Sequence, residues 1–187
     1  DLAEHYFMCA IKEYTSLPYE RKKKIRYAHT LYLYSVALYR NKKITECMDR
    51  LTESQELIAS EESCESSLSY SLGLKMLAWA NCKVGKRLVA EDLFIQALSV
   101  QNRMFSGKGL YVAHTLRCLA ENEFSLYCNT SDKRYKDDAI MHLQDAMRLY
   151  ESKDARYVHQ IVFLSNLKEK MCAYEENKQR HIYKSNA

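Results

Sequence analysis

The 187-residue chain has one proline, four glycines and one tryptophan. A β-rich domain of this length needs many Gly, Pro and Asn turns, so their scarcity argues against a sandwich or barrel and for long helices joined by few loops. No run of about 18 apolar residues occurs, which leaves no candidate membrane-spanning helix. A secretory leader pattern is missing too. No CxxC pair exists among the seven cysteines, Cys9, Cys47, Cys64, Cys82, Cys118, Cys128 and Cys172. Odd in number and scattered through helical patterns, they spell neither a zinc module nor a disulfide framework, and reduced, half-buried thiols in a cytosolic protein are the plain reading. A net charge of +4 with both signs interspersed is too weak to imply nucleic acid.

What is present suits a helical protein. Hydrophobic residues make up 47% of the chain, enough at this length to bury a sizeable core. Fifteen tyrosines supply rings with polar tips, suited to half-buried helix faces and binding grooves alike.

One pattern recurs: a small residue, an acid, an aromatic or apolar residue, and a second small residue seven places after the first. It reads Ala3-Glu4, Phe7, Ala10, returns as Ala90-Glu91, Phe94, Ala97, and more loosely as Ala139, Leu143, Ala146, with a degenerate copy at Thr45-Glu46-Cys47. The first positions are 42, 45 and 49 residues apart. Seven residues return to the same helix face, and small side chains are what two helices need at their closest approach. Each copy follows another helical stripe: Leu31, Leu33, Val36, Ala37; then Leu74, Leu77, Ala78; then Leu116, Leu119, Ala120; and Val158, Ile161, Leu164, Leu167 open a further unit.

These patterns predict helices near 1–16, 21–40, 43–60, 63–84, 87–105, 110–128, 133–152 and 155–178. Pro18 ends the first, and Gly85 stops the fourth as a left-handed terminal glycine does. Asn129-Thr130-Ser131-Asp132 reads as a loop insertion that also matches the N-glycosylation pattern. The polar tail 179–187 is expected to be disordered. The fold class is thus an all-α solenoid over 1–178, with hairpins near 21–60, 63–105 and 110–152 and partial units at both ends, about three and a half hairpins in all. A start at Asp1, straight into a helical pattern, fits an excised fragment whose flanking repeats are missing.

Leu77-Ala78-Trp79, Gly85-Lys86 and Ala90-Glu91-Asp92-Leu93, together with Gly109-Leu110-Tyr111-Val112-Ala113, Leu116 and Leu119-Ala120, resemble tetratricopeptide repeats of the kinesin light chain type. The likeness implies right-handed superhelical stacking and a concave face lined by the first helix of each hairpin. Within that family, Ala10-Ile11-Lys12-Glu13-Tyr14-Thr15 with Leu17-Pro18, Ile95-Gln96-Ala97-Leu98 running to Phe105-Ser106-Gly107-Lys108, and Ala139-Ile140-Met141-His142 are similar to one branch in particular. That branch implies a substrate receptor of a cullin-RING ubiquitin ligase, or a cytoplasmic adaptor for membrane-protein tails that associates with microtubules, with nuclear presence also open. The region that would dock the ligase adaptor is expected upstream. A motor-cargo adaptor of the kinesin light chain kind, and a scaffold whose groove is filled by its own chain, are the alternatives.

In the kinesin light chain pattern, paired asparagines before the Leu-Ala step face the groove. The matching pairs here are Tyr34-Ser35, Lys75-Met76, Arg117-Cys118 and Ser165-Asn166. On this likeness Lys75 and Arg117 would stand on adjacent rungs, with Tyr34, Ser165 and Asn166 completing the groove. Two cations there would hold an acidic peptide or a C-terminal carboxylate by charge-assisted hydrogen bonds, Arg117 bidentately. The plainer reading makes both ordinary solvated positions.

The remaining constellations favour plain readings. Arg21-Lys22-Lys23-Lys24 with Arg26 is a single basic cluster without an aromatic platform, as a solvated first helical turn would be. His5 with Cys9, and His114 with Cys118, each offer two metal ligands where a tetrahedral site needs four. Gly107-Lys108-Gly109 lacks the third glycine of a dinucleotide fingerprint. Glu61-Glu62 and Asp137-Asp138 sit at helix edges, where acids favour the first turn. No nucleophile–base set emerges, so the expectation is a binding module without catalysis, cofactor or metal, whose partners are protein or peptide and neither nucleic acid nor membrane interior.

Overall fold

The structure, a computed structural model, describes residues 2–16, 21–60, 67–153 and 155–185. Its helices are α1 (Leu2–Ser16), α2 (Arg21–Arg40), α3 (Ile44–Ala59), α4 (Leu68–Lys83), α5 (Arg87–Phe105), α6 (Leu110–Thr130), α7 (Lys133–Glu151) and α8 (Val158–Ser185), the last preceded by a 3-10 turn at Ala155–Tyr157. Among the described residues there is no strand. The all-α helical-repeat class expected from the scarcity of turn residues is the one observed. Pro18, Glu61-Glu62, Cys64 and the side chains of Arg21, Lys22 and Lys23 lie outside the described residues.

Three boundaries differ from the sequence reading. Helix α4 begins at Leu68, because the Ser67 hydroxyl accepts from the Tyr70 amide at 3.3 Å and caps it there. Helix α6 runs on through Thr130, so the expected four-residue loop shrinks to Ser131, left-handed at φ 62, and Asp132, the N-cap of α7. Helix α8 continues to Ser185 through the expected disordered tail. That stretch holds no glycine or proline, so nothing in its backbone chemistry stops the helix.

The chain forms two compact units, Asp1–Gly107 and Lys108–Ala187. In the first, α2–α3 and α4–α5 are copies of one hairpin, offset by 43 residues. Their turns close identically. The Lys43 amide donates to the Leu38 carbonyl at 2.9 Å and the Lys42 amide to Tyr39 at 3.1 Å; 43 residues on, Lys86 donates to Asn81 at 2.9 Å and Gly85 to Cys82 at 3.2 Å. This pair of bonds is the Schellman stop. It demands a left-handed residue, which is Gly85 at φ 80 in the second turn and Lys42 at φ 63 in the first.

The same offset corrects the register of the degenerate repeat copy. Ala90, Phe94 and Ala97 of α5 are fully buried, and so are Cys47, Leu51 and Ser54 of α3, while Thr45 is exposed. The copy therefore starts at Cys47. Burial pushes its thiol up to about 11. Ser54 fills a small-residue position and still satisfies its hydroxyl, donating to the Ala28 carbonyl of α2 at 2.7 Å. Around these residues, Tyr34, Leu38, Leu51 and Met76 form a core joined by Phe7, Tyr39 and Trp79.

In the second unit the small–large–small triplet is kept as Ala139, Leu143 and Ala146 of α7, packed with Ala113 and Ala120 of α6 and Leu164 and Met171 of α8. Tyr174 of α8 meets Phe124 and Tyr127 of α6 edge-on, with ring centroids 5.8 and 6.0 Å apart. Each fully buried leucine here contributes about 1.5–3 kcal/mol.

Candidate functional site

The expected groove residues fare differently. Tyr34 is 6% exposed, its ring 5.9 Å from that of Phe7, and Ser35 beside it is buried. Tyr34 belongs to the core between α1 and α2, and neither residue lies on an open face. The cause is periodicity: Leu31, Tyr34 and Leu38 share one helical stripe, and α1 covers it.

Lys75 and Trp79, one turn apart on α4, are half-buried, and the Lys75 Nζ lies 5.7 Å above the Trp79 ring. Trp79 in turn stacks on Tyr39 of α2, at 6.4 Å and 26° between planes. The first helices of the two hairpins in this unit thus share a shelf of two rings and a cation. A cation over an aromatic face is held without losing its charge, so it remains able to meet an anion. Met76, the other half of the expected pair, is buried. The aromatic partners were hidden in the sequence, since Tyr39 and Trp79 are 40 residues apart and only the hairpin offset brings them together.

Arg117 lies in the second unit and is engaged by its own chain. Its Nη2 is 3.3 Å from the His114 Nε2, its Nε is 3.8 Å from the Glu121 carboxylate, and its guanidinium lies 5.5 Å from the centre of the Phe163 ring on α8. The Nε is buried and forms no hydrogen bond among the described residues. Ser165 is half-buried and Asn166 exposed on α8. Lys75 and Arg117 therefore belong to different units, each with its own surroundings.

The remaining titratable clusters serve helix packing. His114 Nδ1 is 3.6 Å from the buried Cys118 Sγ, and His5 Nε2 is 3.7 Å from the exposed Cys9 Sγ. Among the described residues no three His, Cys, Asp or Glu side chains gather as a metal site. His142 Nδ1 and Glu123 Oε2 pair at 2.8 Å across α6 and α7. No helix is long and apolar enough to cross a membrane, among the described residues.

Sequence reading missed one polar cluster altogether. Glu4 of α1 is buried, and its carboxylate accepts from Asn41 Nδ2 at 2.7 Å and from Lys43 Nζ at 2.6 Å. Those two donors hold its carboxyl below the usual range. The α2–α3 turn thus grips a carboxylate from the preceding helix.

No family model and no curated protein matches the chain. Among solved structures, the crystal structure of BtubC (BKLC) from P. vanneervenii superposes with a TM-score of 0.69 at 15% identity, covering 98% of this chain and 73% of that one. BtubC is a kinesin light chain-like helical-repeat protein, and the likeness places this chain in the same tetratricopeptide-like fold.

Proposed function

We propose that the chain is a protein-interaction module that recognises an acidic or C-terminal peptide on the first-helix faces of its hairpins and catalyses nothing itself. The Lys75–Trp79–Tyr39 shelf is the observation that carries this reading. Aromatic rings give contact area at low entropic cost, and the cation selects for negative charge. The helical-repeat fold shared with BtubC supports a binding role over a catalytic one.

Within that role, the finer reading is the substrate-recognition part of a cullin-RING ubiquitin ligase receptor, or a cytoplasmic adaptor for membrane-protein tails. Its support is the set of three sequence stretches that are similar to amyloid protein-binding protein 2, ending in Leu17-Pro18, Lys108 and His142. Cytoplasmic, nuclear or microtubule-associated placement goes with it. A kinesin-light-chain-like cargo adaptor is the alternative that the likeness to BtubC favours. A scaffold with a self-occupied groove draws on a different observation: Phe163 of the chain's own α8 covers the Arg117 guanidinium.

The test is binding to a random C-terminal peptide library, free acid against amide, with Lys75→Glu/Arg117→Glu as control. Selective capture of free-acid peptides, lost in the double variant, supports the recognition reading. Uniform or absent capture sinks it in favour of the scaffold.

A further inference from the structure

Each of the three hairpin turns carries cations, and two of the turns hold an acid of the chain itself. In the α2–α3 turn Glu4 takes Lys43 and Asn41. In the α6–α7 turn Asp132 takes Arg134, at 2.7 Å from Nη2 to Oδ2, and caps the helix through the Arg134 amide. In the α4–α5 turn Arg87 is engaged within the chain, while the two lysines beside it are not. Lys86 is the 43-residue counterpart of Lys43, but the counterpart of Glu4 is Cys47, a fully buried thiol with no charge to offer. Lys83 and Lys86 are exposed, and neither side chain has an ion-pair or hydrogen-bond partner among the described residues.

Apolar surface surrounds these two cations. Val84 is 45% exposed, Leu88 58% and Val89 47%. A Cβ built on Gly85 meets nothing within 4 Å, so a second backbone can approach the turn. Tyr39, near the end of α2, stacks on Trp79, near the end of α4, so both turns of this unit fall at the same end. Arg40 and Lys42, exposed and with side chains likewise unpaired among the described residues, extend the basic edge there. Glu46 of α3 lies beside Lys43. Both α3 and α5 also begin at a lysine with no side-chain cap, which leaves the positive end of each helix facing the same edge.

We propose that the α4–α5 turn docks a segment of a partner protein in which a carboxylate side chain adjoins an apolar one. Lys83 and Lys86 receive the carboxylate, as Lys43 receives that of Glu4, and Val84, Leu88 and Val89 cover the apolar neighbour. Charge complementarity argues for the acid, and the Glu4 clamp is a working copy of the contact inside the same unit. The proposal rests on the reading of the chain as a protein-binding module, but it places a second contact at the turn edge, away from Lys75.

The experiment uses the full chain and fluorescein-labelled peptides alternating glutamate with leucine, a matched set with glutamine in place of glutamate, and phosphatidylserine vesicles. Affinities are read by anisotropy and co-sedimentation for the wild type, Lys83→Glu/Lys86→Glu, the milder Lys83→Gln/Lys86→Gln, and Lys75→Glu/Arg117→Glu. Circular dichroism and Trp79 fluorescence confirm that each variant is folded. The expected result is binding of the glutamate peptides alone, weakened about tenfold or more by the turn variants. Equal binding of the glutamine set, preference for vesicles, or loss only in Lys75→Glu/Arg117→Glu overturns the turn site. If glutamate peptides fail to bind while the C-terminal library yields ligands, the turn site falls and the binding-module reading stands. If neither yields a ligand, both fall.

Discussion

Glu123 and His142 pair at 2.8 Å between α6 and α7, with the Glu123 side chain only 3% exposed. Burial pushes the Glu123 carboxyl up, and the imidazole beside it offsets only part of that rise. Burial alone would lower His142, but the hydrogen bond and charge of Glu123, with Asp138 and Asp145 nearby, raise it above its ordinary value. Both shifts have the same sign for stability. A raised imidazole contributes fully below its unfolded value of 6.5, and the contribution is lost as pH rises through the folded value. A raised carboxyl likewise favours the native state most at low pH, losing that advantage above 4.5. The urea midpoint of the wild type should therefore fall as pH rises above the unfolded imidazole value of 6.5. Glu123→Gln should flatten that slope and cost about 1–3 kcal/mol below that pH, because His142 keeps its burial and loses its charge partner. An unchanged slope in the variant would remove the pair as its source.

The Glu4 clamp titrates the opposite way. Its carboxyl is lowered by the Lys43 and Asn41 hydrogen bonds, so its contribution is present above the ordinary value of 4.5 and is lost as pH falls through the folded value. Glu4→Gln should loosen α1 from the α2–α3 turn. Hydrogen exchange is the readout: amides of α1 should exchange faster in the variant while those of α4 and α5 keep their protection. Uniform change across the unit would mean that the clamp does not act locally.

Ala97 of α5 is fully buried at the small position of the repeat. A leucine there has no room, and overpacking should cost about 1–3 kcal/mol. Ser99→Leu, two residues away on the exposed side, should be within about 0.5 kcal/mol of wild type. Equal losses in the two variants would refute the close approach read from the seven-residue spacing.

Most of the helix pattern was legible because it rests on local chemistry. Scarce Gly and Pro, apolar stripes and the Gly85 stop place α2, α3, α5 and α7 to within a residue of the observed bounds. What could not be read depends on which neighbour a face meets. The likeness matches Tyr34 with Lys75, 41 residues apart, whereas the 43-residue hairpin offset pairs Lys75 with Tyr32 and Tyr34 with Leu77; Tyr34 thus meets Phe7 of α1 while Lys75 lies over Trp79. The degenerate copy slipped by two residues because Thr45 looks like the small residue and Cys47 is the one packed. The clamp joins residues 39 apart through a polar contact, and hydrophobic periodicity carries no trace of it.

Gly73 and Gln55 supply a sharper test of how closely α3 and α4 pack. A Cβ at Gly73 would overlap the Gln55 Nε2, and both polar atoms of the Gln55 amide are buried without a partner among the described residues. In an open helix Gly→Ala gains about 0.5–1 kcal/mol. Here the Gln55 side chain must first be displaced from a site where it is only 7% exposed, so Gly73→Ala alone should be destabilising. Removing the amide reverses the sign: in a Gln55→Ala background, Gly73→Ala fills the space vacated and should recover the helix gain. A double-mutant cycle by urea unfolding measures the difference, expected at about 1–3 kcal/mol of favourable coupling. Additive effects would show that the Gln55 side chain moves away from Gly73 freely, and that the two helices are less closely fitted than their geometry requires.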